Sequence, residues 1–179
     1  IGTVWRCLFK RDVIEKHKLR FRFRKVNHED ELFIYEFLSH INSAVRIDYE
    51  GYVYFDNPGS IGKNHKYNAN IEWMQKAEDV LTQCLSRLDP DRNTHLSELF
   101  NHTICVIGTS MVTTGYHADS WMSFAKRMER WRYLYNSSWF QTAGKQTKNK
   151  LERVIWIVSH YRLYYLADPF LLMLTRLYD

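Results

Sequence analysis

Several stretches of the chain alternate apolar and polar residues with a period of two, the pattern of a half-buried strand. Leu19-Arg20-Phe21-Arg22-Phe23-Arg24 alternates strictly inside a strand expected over 19–26. Residues 45–49 and 52–55 alternate about Glu50-Gly51, a two-residue turn of the hairpin kind, and Asp56-Asn57-Pro58-Gly59-Ser60 closes the second of them. The β-branched runs 103–107 and 111–114 flank Gly108-Thr109-Ser110 and predict a further hairpin, and 3–9 reads as a short strand.

Elsewhere the period is that of a helix. Asn27 caps a helix over 28–41, with Glu29, Asp30 and Glu31 in its first turn and Leu32, Phe33 and Phe37 inward. Asn68 or Asn70 starts another that runs to 88 on an inner stripe of Met74, Ala77, Leu81 and Cys84, and Asp89-Pro90-Asp91 breaks it. A short helix over 94–100 leads into the second hairpin. Asp119 or Ser120 then caps a helix to 135, with Trp121, Phe124, Ala125, Met128, Trp131 and Tyr135 inward and Lys126, Arg127 and Arg130 on the opposite ridge.

Residues 136–150 are polar and read as a flexible connector. Residues 151–178 are apolar on nearly every side, broken by Pro169 into two helices. Arg153, His160, Arg162, Asp168 and Arg176 interrupt them too often for a membrane span.

These elements predict an α+β fold: antiparallel hairpins with covering helices, followed by an apolar helical C-terminal part. Helix, hairpin and helix recur over 28–88 and 94–135, which suggests a duplicated unit within a domain of residues 1–135. The helices of 151–179 pack on the same domain or dock on a neighbouring subunit. At 179 residues and 45% hydrophobic, the chain can bury one substantial core. It opens on Ile1 rather than Met and closes on Asp179 directly after an apolar run, so it reads as part of a longer or processed polypeptide.

Charge changes this picture more than composition does. The net charge is +5, yet residues 1–26 hold nine Lys or Arg against Asp12 and Glu15, a local +7 that leaves −2 for the rest. The outward arginines of the 19–26 strand, Arg20, Arg22 and Arg24, with Lys16 and Lys18, form a row suited to phosphate oxygens. Lys126, Arg127 and Arg130 extend such a track, and Tyr133, interleaved with arginines, is placed to stack on bases.

Candidate chemistry is sparse. Cys7, Cys84 and Cys105 are too few and too widely spaced for a disulfide framework or a paired zinc site, which favours a reducing, intracellular location, the nucleus being one candidate. Asn101-His102-Thr103 and Asn136-Ser137-Ser138 fit the glycosylation pattern without a signal peptide to support it. The eight histidines have no i, i+3 or i, i+4 pair that would set two ligands on one helical face. Pro58-Gly59-Ser60-Ile61-Gly62-Lys63-Asn64 departs from a nucleotide loop in its glycine spacing and in Asn64. Asp48, Glu50 and Asp56 could hold a divalent metal as in nucleases.

One resemblance bears on these residues. The run 103–125, an apolar strand, a glycine-containing turn, Met111-Val112-Thr113-Thr114-Gly115, then a helix with Ala125 at its small position, resembles the hairpin-then-helix half of the TATA-box-binding protein repeat. The matching positions are Val112, Thr114 and Gly115. That resemblance implies a saddle of antiparallel sheet whose concave face reads the DNA minor groove.

The expectation is therefore a non-enzymatic nucleic-acid-binding domain, DNA or RNA undetermined, with no cofactor. The alternatives are an assembly protein that binds other subunits through 151–179, and a metal-dependent nuclease.

Overall fold

The computed structural model describes residues 3–22, 28–48, 51–53, 55, 70–88, 90–117 and 120–178, with side chains given for 96–117 and 120–173 in the last two ranges. Among them there is no strand. The chain forms α1 (Arg11–His17), α2 (Glu29–Leu38), α3 (Ile71–Ser86), α4 (Pro90–Thr113), α5 (Phe124–Asn136), α6 (Ser138–Gln146), α7 (Lys150–His160) and α8 (Tyr164–Tyr178), with one-turn 3₁₀ helices at Val4–Arg6 and Thr114–Tyr116. The α+β expectation is overturned.

The main reason is α4. Both predicted strands of the second hairpin, and the turn between them, lie within this one helix and the 3₁₀ turn that follows it. Phe100, Ile104, Ile107 and Met111 recur at helical spacing and are fully buried. Thr103, Cys105 and Val112, on other sides, are buried too, so α4 is the central rod of the fold. α3, α5, α6 and α7 pack around it. A helix buried on most sides loses the polar stripe that distinguishes it from a strand.

The resemblance to the TATA-box-binding protein repeat falls with the hairpin: Val112 is in α4, and Thr114 and Gly115 are in the 3₁₀ turn.

Of the first expected hairpin, the described residues 45–48, 51–53 and 55 carry no regular structure, and 49, 50 and 54 lie outside the described residues. Residues 3–9 hold a 3₁₀ turn and no strand. Of the 19–26 strand, 19–22 are irregular, and 23–26 lie outside the described residues. The helix α1 falls where the sequence predicts no element.

The helical expectations fare better. Asn70 caps α3, its side chain accepting from the Trp73 amide at 2.8 Å, and Met74, Ala77, Leu81 and Cys84 are buried as the spacing predicts. Pro90 occupies the first position of α4, where its missing N–H costs nothing. α5 is capped by Ser123 rather than Asp119 or Ser120, and its buried face carries Arg127, Met128, Trp131 and Leu134, leaving Trp121, Phe124 and Ala125 exposed.

Residues 136–150 are not a connector. Ser137 caps α6, accepting from the Phe140 amide, and Phe140 and Ala143 enter the core. The C-terminal helices part at 161–163, where Arg162 takes a left-handed φ of 56°, and Pro169 sits inside α8.

Candidate interaction face

The predicted phosphate-binding residues do not form one track. Arg127 points into the core and is 4% exposed. Its Nε and Nη2 donate to Asp168 Oδ1 and Oδ2 at 2.7 and 2.8 Å, and its Nη1 donates to the Met122 carbonyl. Tyr116 Oη donates to Asp168 Oδ1 at 2.9 Å and in turn accepts from Trp131 Nε1 at 2.9 Å. Burial raises the pKa of Asp168, but the hydrogen bonds from Arg127 and Tyr116 outweigh it and leave the carboxyl below its ordinary value. This network fastens α8 to α5 and to the 3₁₀ turn.

Arg130 donates to the Met111 carbonyl, and burial pulls its pKa down to about 10 against the opposing charge of Glu129. Tyr133 Oη donates to Glu78 Oε2 at 2.9 Å, so its ring is committed to the α3–α5 contact. Arg20 pairs with Glu15 at 3.0 Å and Arg22 with the buried Glu36 at 2.5 Å. Lys16, Lys18 and Lys126 are exposed; Arg24 lies outside the described residues. The metal hypothesis finds Asp48 exposed beside Arg46 at 3.5 Å, with Glu50 and Asp56 outside the described residues. No group of three or more His, Cys, Asp or Glu that could hold a metal occurs among the described residues.

Cys, His and carboxylate do approach one another at α4 and α7. His102 Nδ1 lies 4.0 Å from Glu152 Oε1, and Cys105 follows one turn along α4. Burial pushes the Cys105 thiol up to about 12, Glu152 adding to it, so the sulfur stays protonated and is no nucleophile at neutral pH.

What the structure does assemble is an apolar outer face on the C-terminal helices. The inner side of α8 carries Tyr164 and Asp168, both buried. On the opposite side Leu166, Phe170 and Met173 are 76%, 65% and 51% exposed, with Leu163 before them at the same 3-4-3 spacing. α7 repeats the arrangement, with Ile155 and Trp156 inside and Leu151, Val154, Ile157 and Tyr161 outside.

Arginines border this surface. Arg132, on α5, donates to Tyr165 Oη at 2.9 Å, and the Tyr165 ring lies 6.4 Å from that of exposed Phe124. Arg162, in the α7–α8 turn, lies 4.1 Å over the Tyr135 ring and donates to its hydroxyl at 2.6 Å. Asp168, the single carboxylate of α8, is turned inward.

The sequence alone leaves 151–179 either packed on the same domain or docked on a neighbouring subunit, and does not reveal Arg132 and Arg162 beside its outer face. Nor does it reveal the network around Asp168, although a lone carboxylate inside an apolar helix is its signal. No helix among the described residues is long and apolar enough to cross a membrane. Compared with protein-family models, curated proteins and solved structures, the chain gives no significant match.

Proposed function

We propose that this chain is an assembly domain that binds a partner protein through the outer face of α8, and that the partner presents an amphipathic helix with carboxylates beside its apolar stripe. The observation that carries the reading is that, among the described residues of α8, Tyr164 and Asp168 are buried while Leu166, Phe170 and Met173 on the opposite side stay exposed. Exposed apolar surface of this kind, rimmed by polar residues, marks interaction sites. The 3-4-3 spacing of Leu163, Leu166, Phe170 and Met173 matches the way one helix receives another.

The border selects the partner's charge. Arg132 and Arg162 are each held by a tyrosine hydroxyl and keep further N–H donors for a carboxylate. A second copy of the chain would bring these arginines toward their own kind, which costs affinity. A different, acidic chain is the better complement.

Two labelled synthetic helices test this, each with leucines at 3-4 spacing and flanked by either glutamate or lysine, titrated with the protein and followed by fluorescence anisotropy. The glutamate peptide is expected to bind. Leu166→Asp and Phe170→Asp should each weaken it by about tenfold or more, as for a central contact, and joint Arg132→Gln and Arg162→Gln should narrow the gap between the two peptides. Failure of the glutamate peptide to bind, or self-association of the chain that Leu166→Asp abolishes, would overturn the reading.

A further inference from the structure

The N-terminal arm, residues 3–22, lies on α2 around an apolar cluster of its own, centred on Leu19, Phe33 and Phe37 and distinct from the core around α4. Phe9 meets Phe33 and Phe37 edge-on, with centroids at 5.3 and 4.9 Å. Polar ties join it to α2 as well: the Val4 amide donates to Asp30 Oδ2 at 3.2 Å, and Arg22 pairs with Glu36.

At one margin of this contact His17, the last residue of α1, stacks on His40, just beyond α2. The ring centroids are 3.8 Å apart and the planes 17° from parallel. The charges around the pair are mostly positive. Lys16 and Lys18 flank His17 in the chain, and Arg87, after the end of α3, acts on His40 and lies 3.5 Å from the neighbouring Ser39 hydroxyl. The carboxylate that favours protonation of His40 is Glu36, already engaged by Arg22; Glu15 on α1 is engaged by Arg20. Burial first, then His17 and Arg87, hold the His40 pKa below the ordinary histidine value.

We propose that the His17–His40 stack is a pH-operated latch on the N-terminal arm, closed while the rings are neutral and opened when both are protonated. Two imidazolium rings at this distance repel, and among the described residues the carboxylates nearest the pair, Glu36 and Glu15, are already engaged by arginines. The docked arm holds protons less readily than the free one, so docking is at full strength above the ordinary histidine pKa of about 6.5 and weakens as pH falls below it. Opening uncovers the Phe33 and Phe37 side of α2 and leaves Glu36 without Arg22.

Hydrogen exchange of the whole chain read by mass spectrometry, at about pH 7.5 and about pH 5 with intrinsic rates corrected, tests the latch. Peptides over 4–17 and 29–38 are expected to lose protection by about tenfold at the lower pH, the equivalent of one pKa unit, while α4 and α6 keep theirs. His40→Gln should remove the difference. If that change opens the arm at both pH values, His17→Gln takes its place and should remove the difference instead. Equal protection of the arm at both pH values, a pH-dependent loss that survives the glutamine variant, or an acid loss shared by α4 and α6 overturns the latch.

Discussion

Asp168 accepts from Arg127 through two nitrogens and from Tyr116 through its hydroxyl, all within the core. Removing one partner of a buried pair leaves the other charged and uncompensated, which costs about 3–5 kcal/mol. Asp168→Asn is therefore expected to lower the unfolding free energy by an amount in that range, read as a lower urea midpoint. The double change Arg127→Met with Asp168→Leu should recover most of it, because it replaces the pair by apolar groups. Since the Asp168 carboxyl titrates below its ordinary value, the stability it lends is present above about pH 4 and is lost as pH falls through its lowered pKa. Both partners are visible in the sequence. The spacing puts Arg127 on an outer ridge because Trp121 and Phe124 fit the inner stripe, and a small rotation of the helix face turns that surface cation into a core one.

Helix contacts depend on glycines that the sequence alone reads otherwise. Gly108, expected in a turn, is a helical position of α4, where an added Cβ would come within 2.7 Å of the Phe140 ring of α6. At Gly144 in α6 a Cβ would fall 2.4–2.7 Å from Trp156, including that residue's own Cβ. Gly144→Ala is thus expected to push α6 from α7 and destabilise by about 1–3 kcal/mol, the usual cost of overpacking, read as a lowered midpoint in denaturant. The amphipathic α3, with its cap Asn70 and its single buried stripe, is legible in the sequence, whereas α4 is not. A short β-branched run bounded by small residues fits a buried strand and a buried helix equally, and only the neighbours around α4 decide. α6 is hidden for a related reason: Phe140 and Ala143 are its main apolar anchors, too few to announce a helix.

At the scale of the whole molecule, the described residues form two apolar clusters of unequal size. The larger one, around α4, draws on α2, α3, α5, α6, α7 and α8, and the smaller joins the arm to α2. Each apolar side chain uncovered costs about 1.5–3 kcal/mol, so a chain lacking residues 1–22 is expected to unfold at clearly lower denaturant. Its α3–α7 body should still resist limited proteolysis, and loss of that resistance would show that the arm nucleates the larger core. The concentration of positive charge at residues 1–26 is plain in the sequence. Its use is not, because Arg20 and Arg22 find carboxylates from α1 and α2, a pairing that only the fold brings about.

The central helix has a consequence for the chain before it folds. The segment Ile104-Cys105-Val106-Ile107-Gly108-Thr109-Ser110-Met111-Val112 carries no charge and no proline and is rich in β-branched residues, the composition of segments that stack into cross-β. Its helical form is supported by α3, which precedes it, and by α5, α6 and α7, which a ribosome releases only afterwards. Until then the nascent chain carries an uncharged, β-branched stretch without all of its packing partners, and a chaperone that shields this stretch is expected to raise the yield of folded protein.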